Sequence, residues 1–333
     1  MRKSTPVTLG ILIAVVVVAM QALLVPLFAG PAAHLAPRDL PIAVAGPPPA
    51  SAQLATQLEA GHSGAFQVQV VADGAAADEA IKTREAYGAI VLTPGGPELH
   101  VASAAGPAVS TLLTQAASSL GNGRPAPVRD VVAIDPDDPR GTGFGAAFLP
   151  LAITAMLAGM LIFLAVRTRG ARLAALGTFA VLAGLAGAAV QQYWLGILPG
   201  DYLANAAVMS LVGLAIAGTI TGLGAVLDRA GLALGAIMVF LVGNALSGVA
   251  SAPELLPQPW GEFGQWLPIG AGGTLLRSVA YFDGHGGLVA AGVLSAYALV
   301  GLILVAAGRR GTASPDAQTA TAGTDEREHA LAR

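Results

Sequence analysis

The 333-residue chain has no cysteine and only two lysines, Lys3 and Lys82, beside fifteen arginines. Without cysteine it can form no disulfide staple and no thiolate metal site. Charge of either sign is scarce, at 11% of residues, less than half the share in an ordinary soluble domain. Motifs for enzyme chemistry are missing as well. No GxxxxGK[ST] phosphate loop occurs, so the chain cannot hydrolyse a nucleotide by that route. Neither HExxH nor GxSxG appears, and the five histidines, His34, His62, His100, His285 and His329, are scattered. No catalytic residue, cofactor or metal is therefore expected. A net charge of −3 also argues against nucleic acid as a partner.

What the chain has in excess is apolar residues, 54% of the total, with a mean hydropathy of +0.68. A hydrocarbon core about 30 Å thick is crossed by a helix of roughly 20 apolar residues. Six stretches meet that length: Val7–Ala29, Gly145–Val166, Leu173–Gln192, Leu203–Leu227, Gly231–Ala250 and Leu288–Ala307. None holds an Asp, Glu, Lys, Arg or His in its interior, which weighs against the ion-coupled carriers that depend on such groups. The first stretch is too long for the apolar core of a signal peptide and is read as an uncleaved anchor.

Lys and Arg beside span ends mark the cytoplasmic side. Arg2, Lys3, Arg167, Arg169, Arg172, Arg229, Arg309 and Arg310 flank one set of ends, and only Arg277 lies in the short loops opposite. Both termini are thereby expected inside, and residues 31–143 outside. Few lysines amid abundant Ala and Gly point to a GC-rich bacterial genome, hence a bacterial cytoplasmic membrane. Tyr193, Trp194, Tyr202, Trp260, Trp266 and Tyr281 fall at the expected outer interface, where amphipathic rings settle.

The expected fold class is an α-helical polytopic membrane protein with six transmembrane helices and a small α/β extracytoplasmic domain between spans one and two. Residues 1–30 form the anchor, 31–143 the inserted domain, 144–308 a five-helix block, and 309–333 a disordered cytoplasmic tail without apolar period. Inside the inserted domain, strands are predicted at Leu40–Ala45, Phe66–Val71, Gly88–Leu92, Leu99–Ala102 and Val128–Ile134. Helices are predicted at Ala50–Ala60, Ala75–Arg84 and Pro107–Leu120, the last opened by Pro and closed by Gly121. Their alternation predicts a mainly parallel sheet. Phe66 and Tyr87 are its only aromatics, so the core is aliphatic. Its eleven acids against six bases read as a solvated acidic face.

Three local patterns carry candidate roles. Asp135, Asp137 and Asp138 cluster between prolines. Three carboxylates can hold a hard cation, but the glycine and glutamate of a calcium loop are missing, and a solvated linker is the plainer reading. Gly218–Gly222 and Gly231–Gly235 are small-xxx-small pairs suited to close helix packing, though chance also produces them among 43 glycines. The stretch from Pro253 to Gly287 interleaves Pro257, Pro259, Trp260, Phe263, Trp266, Leu267 and Pro268 with a helical run, Thr274–Tyr281, that contains Arg277. It reads either as an interfacial cap or as short helices dipping into the outer leaflet. The second reading makes Trp260, Phe263, Trp266, Pro268 and Arg277 a candidate outer gate over a cavity between protomers.

In layout and in three stretches the sequence resembles the ABC-2 type permease family, in particular its branch of phage-infection-protein-like membrane proteins. The stretches are Arg84 to Leu92 (REAYGAIVL), Asp135 to Gly141 (DPDDPRG), and Gln265 to Gly270 (QWLPIG) followed by Leu275-Leu276-Arg277. The resemblance covers most of residues 1–308. It implies one span, an external domain and five more spans, in a permease half that dimerises around a central pathway. It further implies a separate ATPase subunit, touching the loop Arg167, Arg169 and Arg172, and re-entrant helices over Trp260 to Arg277.

Two functions are compatible with these observations. One is the membrane permease component of an ABC-2-like exporter, homodimeric in membrane lipid and driven by an ATPase in trans. The other is a non-transporting surface receptor, scaffold or secretion accessory protein. The short loops at 167–172 and 228–230 and the acidic external domain motivate the second reading.

Overall fold

The computed structural model describes residues 6–61, 63–120 and 126–308. Arg2, Lys3, His62, Gly121, Arg309, Arg310, His329 and the predicted tail lie outside them. Within those residues the chain is mostly helical, with one small sheet. It opens with helix α1 (Pro6–Ala33), which runs beyond the expected Ala29 and carries Pro26 and Pro31 inside it. Each proline removes one backbone donor, and the helix persists past both. His34 Nδ1 lies 2.8 Å from the Gly30 carbonyl, which the helix end leaves without its usual amide partner.

Residues 40–130 form a five-stranded sheet and its helices. The strands are β1 (Leu40–Ala45), β2 (Phe66–Val71), β3 (Gly88–Thr93), β4 (Gly96–Val101) and β5 (Val128–Asp130), in the order β2-β1-β3-β4-β5. β1 pairs in parallel with both β2 and β3, β4 with β5, and only the β3–β4 hairpin is antiparallel. The mainly parallel sheet expected from the alternation is thus present. β4 starts three residues before the predicted strand, because Thr93 already pairs with Gly96 across the tight turn. β5 stops at Asp130 rather than Ile134.

Alternation along β1 sorts side chains by size. Leu40, Ile42 and Val44 face α2 (Pro48–Gly61) and α4 (Pro107–Leu120), where Leu58, Val109 and Leu113 meet them. Ala43 and Ala45 face α3 (Gly74–Lys82), meeting Ala77, Ala80 and Ile81. The buried residues of the first half-core are aliphatic, whereas the second takes in Phe282 from the helical part, which the expectation of an aliphatic core did not include. Asp73 caps α3 by accepting the Ala76 amide at 2.9 Å.

Seven α-helices follow, with a 3-10 turn at Pro253–Leu255 between the fourth and fifth. They are α5 (Thr142–Ala165), α6 (Arg169–Ala189) with a π turn at Val190–Trp194, α7 (Tyr202–Gly235) with a π stretch at Ala236–Val242, α8 (Gly243–Ala245), α9 (Trp260–Gln265), α10 (Pro268–Tyr281) and α11 (Leu288–Ala307). Five helices among the described residues are long and apolar enough to cross a membrane: Val7–Ala33, Thr142–Ala165, Arg169–Trp194, Tyr202–Ala245 and Leu288–Ala307. The chain is a helical, multi-pass membrane protein by that measure.

That number is one below the six stretches of the sequence, because Tyr202–Ala245 runs over two of them. Asp228 within it has φ 55° and ψ −137°, which no helix contains. A Cβ on Gly231 would collide with the Leu223 carbonyl, and one on Gly235 would lie 3.1 Å from Ile220 Cγ1. Residues eight apart in a straight helix are separated by about 12 Å. The chain therefore doubles back at Asp228. α8 also stops at Ala245, five residues before the predicted end, and Leu246, Ser247, Val249 and Ala252 continue as buried irregular backbone.

α7 is the hub: α5, α6, α10 and α11 all pack on it. Asp201 caps it by accepting the Ala204 amide at 2.8 Å. A Cβ on Gly222 would lie 2.6 Å from the Gly301 carbonyl, so α7 and α11 touch backbone to backbone. Both small-residue pairs are spent within the chain, Gly222 against α11 and Gly231–Gly235 against the first half of α7. α1 differs, since none of its most apolar window is buried, as suits side chains immersed in lipid.

Gly222→Leu should force α7 and α11 apart at a cost of about 1–3 kcal/mol or more. Gly292→Leu, on an open face of α11, should cost little. Thermal-shift gel filtration in detergent should show a clear drop in melting temperature for the first variant only.

Candidate functional site

The sheet unit and the helices meet at a junction where Ala252, Leu255 and Phe282 enter the sheet unit's half-cores, and Arg38, Arg84 and Tyr87 add polar contacts there. Arg84 ends α3 with a left-handed φ of 62°, which turns the chain into β3 and sends the guanidinium away from the sheet. Its Nη1 donates to the Thr274 carbonyl at 3.2 Å and to Ser278 Oγ at 2.5 Å on α10. The same guanidinium lies 5.3 Å from the Phe282 ring centre. Tyr87 donates its hydroxyl to Glu254 Oε2 at 2.7 Å. Arg38 donates to the Leu255 carbonyl at 2.9 Å, and its amide to the Glu254 carbonyl at 3.0 Å.

Between these contacts lies a cavity of about 260 Å³, lined by Pro41, Arg84, Tyr87, Glu254, Gln265 and Thr274 among others. Burial, and next the Glu254 carboxylate, raise the Tyr87 pKa above its ordinary value. A raised pKa means that the hydrogen bond is at full strength below about pH 10 and weakens only above it.

α10 is buried on almost every side. A Cβ on Gly200, just before α7, would lie 2.9 Å from the Ala280 carbonyl, and one on Gly272 would lie 2.9 Å from Val212 Cγ2. α10 therefore runs antiparallel to α7, with Tyr281 at the sheet end. Pro268 lies twelve residues down from Ala280, about 18 Å along the helix axis. The hairpin of α9 and α10 thus extends about 18 Å beside α7, away from the sheet unit. Of the irregular residues 246–252 beside it, Leu246, Ser247, Val249 and Ala252 are buried and Ala250 is exposed. Arg277 braces this stretch, donating from Nη2 to the Val249 carbonyl at 2.9 Å while lying 4.7 Å from the Phe144 ring centre.

The structure divides the five gate residues into two sets. Pro268 and Arg277 are inside the packed hairpin. Trp260, Phe263 and Trp266 are 53%, 45% and 62% exposed and face outward. Trp260 joins Leu23, Leu27 and Pro31 of α1 around a shallow apolar cleft. The helix predicted at Thr274–Tyr281 begins six residues earlier, at Pro268, whose ring suits the first helical position.

The coupling-loop arginines also part company. Arg167 is exposed, and Arg169 Nη2 lies 3.5 Å from the Ala307 carbonyl. Arg172 is buried and caps the end of α5, donating to the Val166 carbonyl at 2.7 Å and the Phe163 carbonyl at 3.0 Å. It is not free to meet a partner.

The Asp135 cluster is a solvated linker only in part, with Asp137 exposed and Asp135 half-buried. Asp138 is buried, and its Oδ2 accepts the Phe144 amide at 2.9 Å near the start of α5. Asp135 Oδ1 accepts the Asp137 amide at 3.0 Å. Among the described residues no three His, Cys, Asp or Glu side chains gather as a metal group. A buried pair went unnoticed in the sequence: His100 Nδ1 is 2.6 Å from Asp78 Oδ1, and Arg129 Nη1 is 3.1 Å from Asp78 Oδ2. Strand alternation signals that His100 faces α3, opposite Leu99 and Val101, but no spacing names Asp78 as its partner.

No family model, no curated protein and no solved structure matches this chain. The likeness to ABC-2 permeases rests on the layout and the three short stretches alone.

Breaking the Tyr87–Glu254 bond leaves a charged acceptor without its donor, a loss of about 1.5–3 kcal/mol. Tyr87→Phe and Glu254→Gln should each raise hydrogen exchange at residues 253–255, and the double variant should exchange no faster than the worse single one. Additive effects would show that the two side chains are not coupled.

Proposed function

We propose that this chain is the membrane half of an ABC-2-like exporter, working as a homodimer in a bacterial cytoplasmic membrane. In this reading the reversal at Asp228 separates two crossings, so the chain spans six times. The sheet unit is extracytoplasmic, and Arg167, Arg169, Arg172 and Arg229 lie inside. Energy comes from a separate ATPase subunit, since the sequence carries no phosphate-binding loop of its own.

The observation that carries the proposal is the hairpin of α9 and α10. It enters beside the doubled-back Tyr202–Ala245 and leaves just before α11, with the sheet unit seated on it through Arg84 and Tyr87. This is where the resembling family places its re-entrant helices. A second reading, a non-transporting surface protein, is supported by Arg172, which caps α5 and leaves little at that end for a motor to grip.

Affinity purification from native membranes should recover an ATPase with the chain, and Arg167→Glu with Arg169→Glu should release it. Recovery without any ATPase, with function lost on deletion of residues 35–140 and untouched by the arginine changes, would establish the second reading instead. Because the chain has no cysteine, single cysteines report topology cleanly. An impermeant maleimide should label Gln57→Cys in intact cells and Ala230→Cys only after lysis.

A further inference from the structure

A second cavity, about 460 Å³ in volume, lies between α5 and α6 with α7 as its back wall. Ala155, Gln191 and Met209 line it deeply, at 1%, 7% and 2% exposure, while Thr154, Val190 and Leu195 at its rim are exposed. It is a cleft open sideways, toward the medium around the helices. No Lys, Arg, Asp or Glu is among its lining residues.

Gln191 is the exception in this apolar lining. Its Oε1 has no hydrogen-bond partner, and its Nε2 finds only the sulfur of Met209 at 3.8 Å, a weak acceptor. The two amide atoms exchange places when the group is flipped. In either orientation one buried polar atom therefore lacks a strong partner, which is costly at such a place. Gln191 also sits in the π turn Val190–Trp194, a rare form that recurs at functional sites.

Depth and length narrow the ligand. Tyr193 and Trp194, 72% and 81% exposed, lie two and three residues after Gln191 and are the residue types of a membrane–water boundary. The amide thus lies within a turn of that boundary. From Val190 the cleft follows α6 down to Phe179, about 16 Å at 1.5 Å per residue. That is close to half of a hydrocarbon core about 30 Å thick, the reach of one acyl chain in one leaflet. A hydroxyl both donates and accepts, so it satisfies Gln191 in either orientation, and the lack of a lining cation disfavours a phosphate there.

We propose that this cleft binds one acyl chain of an uncharged, hydroxyl-bearing membrane lipid, with the lipid hydroxyl hydrogen-bonded to the Gln191 amide. The site is independent of whether the chain exports anything. It depends only on the helices being immersed in lipid.

The full-length chain in phosphatidylcholine nanodiscs provides the test, with a diacylglycerol carrying a diazirine in one acyl chain as the probe. Photolabelling should map to residues 147–155 and 179–195 and be competed by unlabelled diacylglycerol. The O-methyl ether of the same diacylglycerol should compete about tenfold less well, the loss expected from one unmade hydrogen bond. Gln191→Met, similar in shape and without the amide, should bring the two competitors to parity. Equal competition by alcohol and ether in the unaltered protein would mean ordinary annular lipid and overturn the proposal. A hydroxyl preference that survives Gln191→Met would overturn the role of the amide. The first comparison needs no variant, so poor folding of a mutant cannot obscure it.

Discussion

Helices surrounded by hydrocarbon gain nothing from hiding apolar side chains from one another, because lipid tails are equally apolar. Their association depends on how closely their backbones can approach, and in this chain that approach is concentrated on α7. Gly222 meets Gly301 of α11, Gly159 of α5 faces the Ala217 carbonyl, and Gly184 of α6 faces the Ala206 carbonyl. Side chains at these places would separate three helices from their hub. The Thr221 hydroxyl adds a hydrogen bond to the Gly159 carbonyl at 2.9 Å, a bond open to it only because the backbones are so near.

With that bundle in place, irregular backbone can exist beside it. Residues 246–252 leave the helical pattern, and the buried Arg277 guanidinium satisfies the Val249 carbonyl while lying over the Phe144 ring. The hairpin of α9 and α10 is held in the same manner: Gln265 Nε2 donates to the Ser247 carbonyl at 2.9 Å, and the Thr274 hydroxyl to Gln265 Oε1 at 2.7 Å. The sheet unit then docks on the top of this assembly through apolar packing of Ala252, Leu255 and Phe282 into its two half-cores and through polar contacts beside them. Arg38, Arg84 and Tyr87 each reach a carbonyl, hydroxyl or carboxylate of residues 254–278. A movement of the hairpin would therefore be felt by the sheet unit, and the reverse.

Local patterns in the sequence were legible where period and punctuation agree. β1, β2 and α4 begin and end at the predicted residues, because Gly and Pro bound each run and the apolar period inside is clean. Legibility failed where a distant partner decides. Arg172 looks like one more positive charge at a span end, yet it folds back on the carbonyls that α5 leaves open. Asp138 looks like part of an acidic linker, yet the start of α5 buries it. His100 and Asp78 are 22 residues apart with no shared motif, and only the stacking of α3 on the sheet joins them.

The sequence by itself determined that the chain is built of membrane-length helices around one small aliphatic α/β unit, because hydropathy and alternation are local properties of the residues themselves. Only the tertiary structure decided what each exceptional polar residue does. Asp228 marks a reversal, Arg277 braces unwound backbone, Arg84 and Tyr87 seat the sheet unit, and Gln191 keeps an unmet amide in an apolar cleft. The reason is physical: a buried polar group is defined by its partner, and the partner is supplied by the fold.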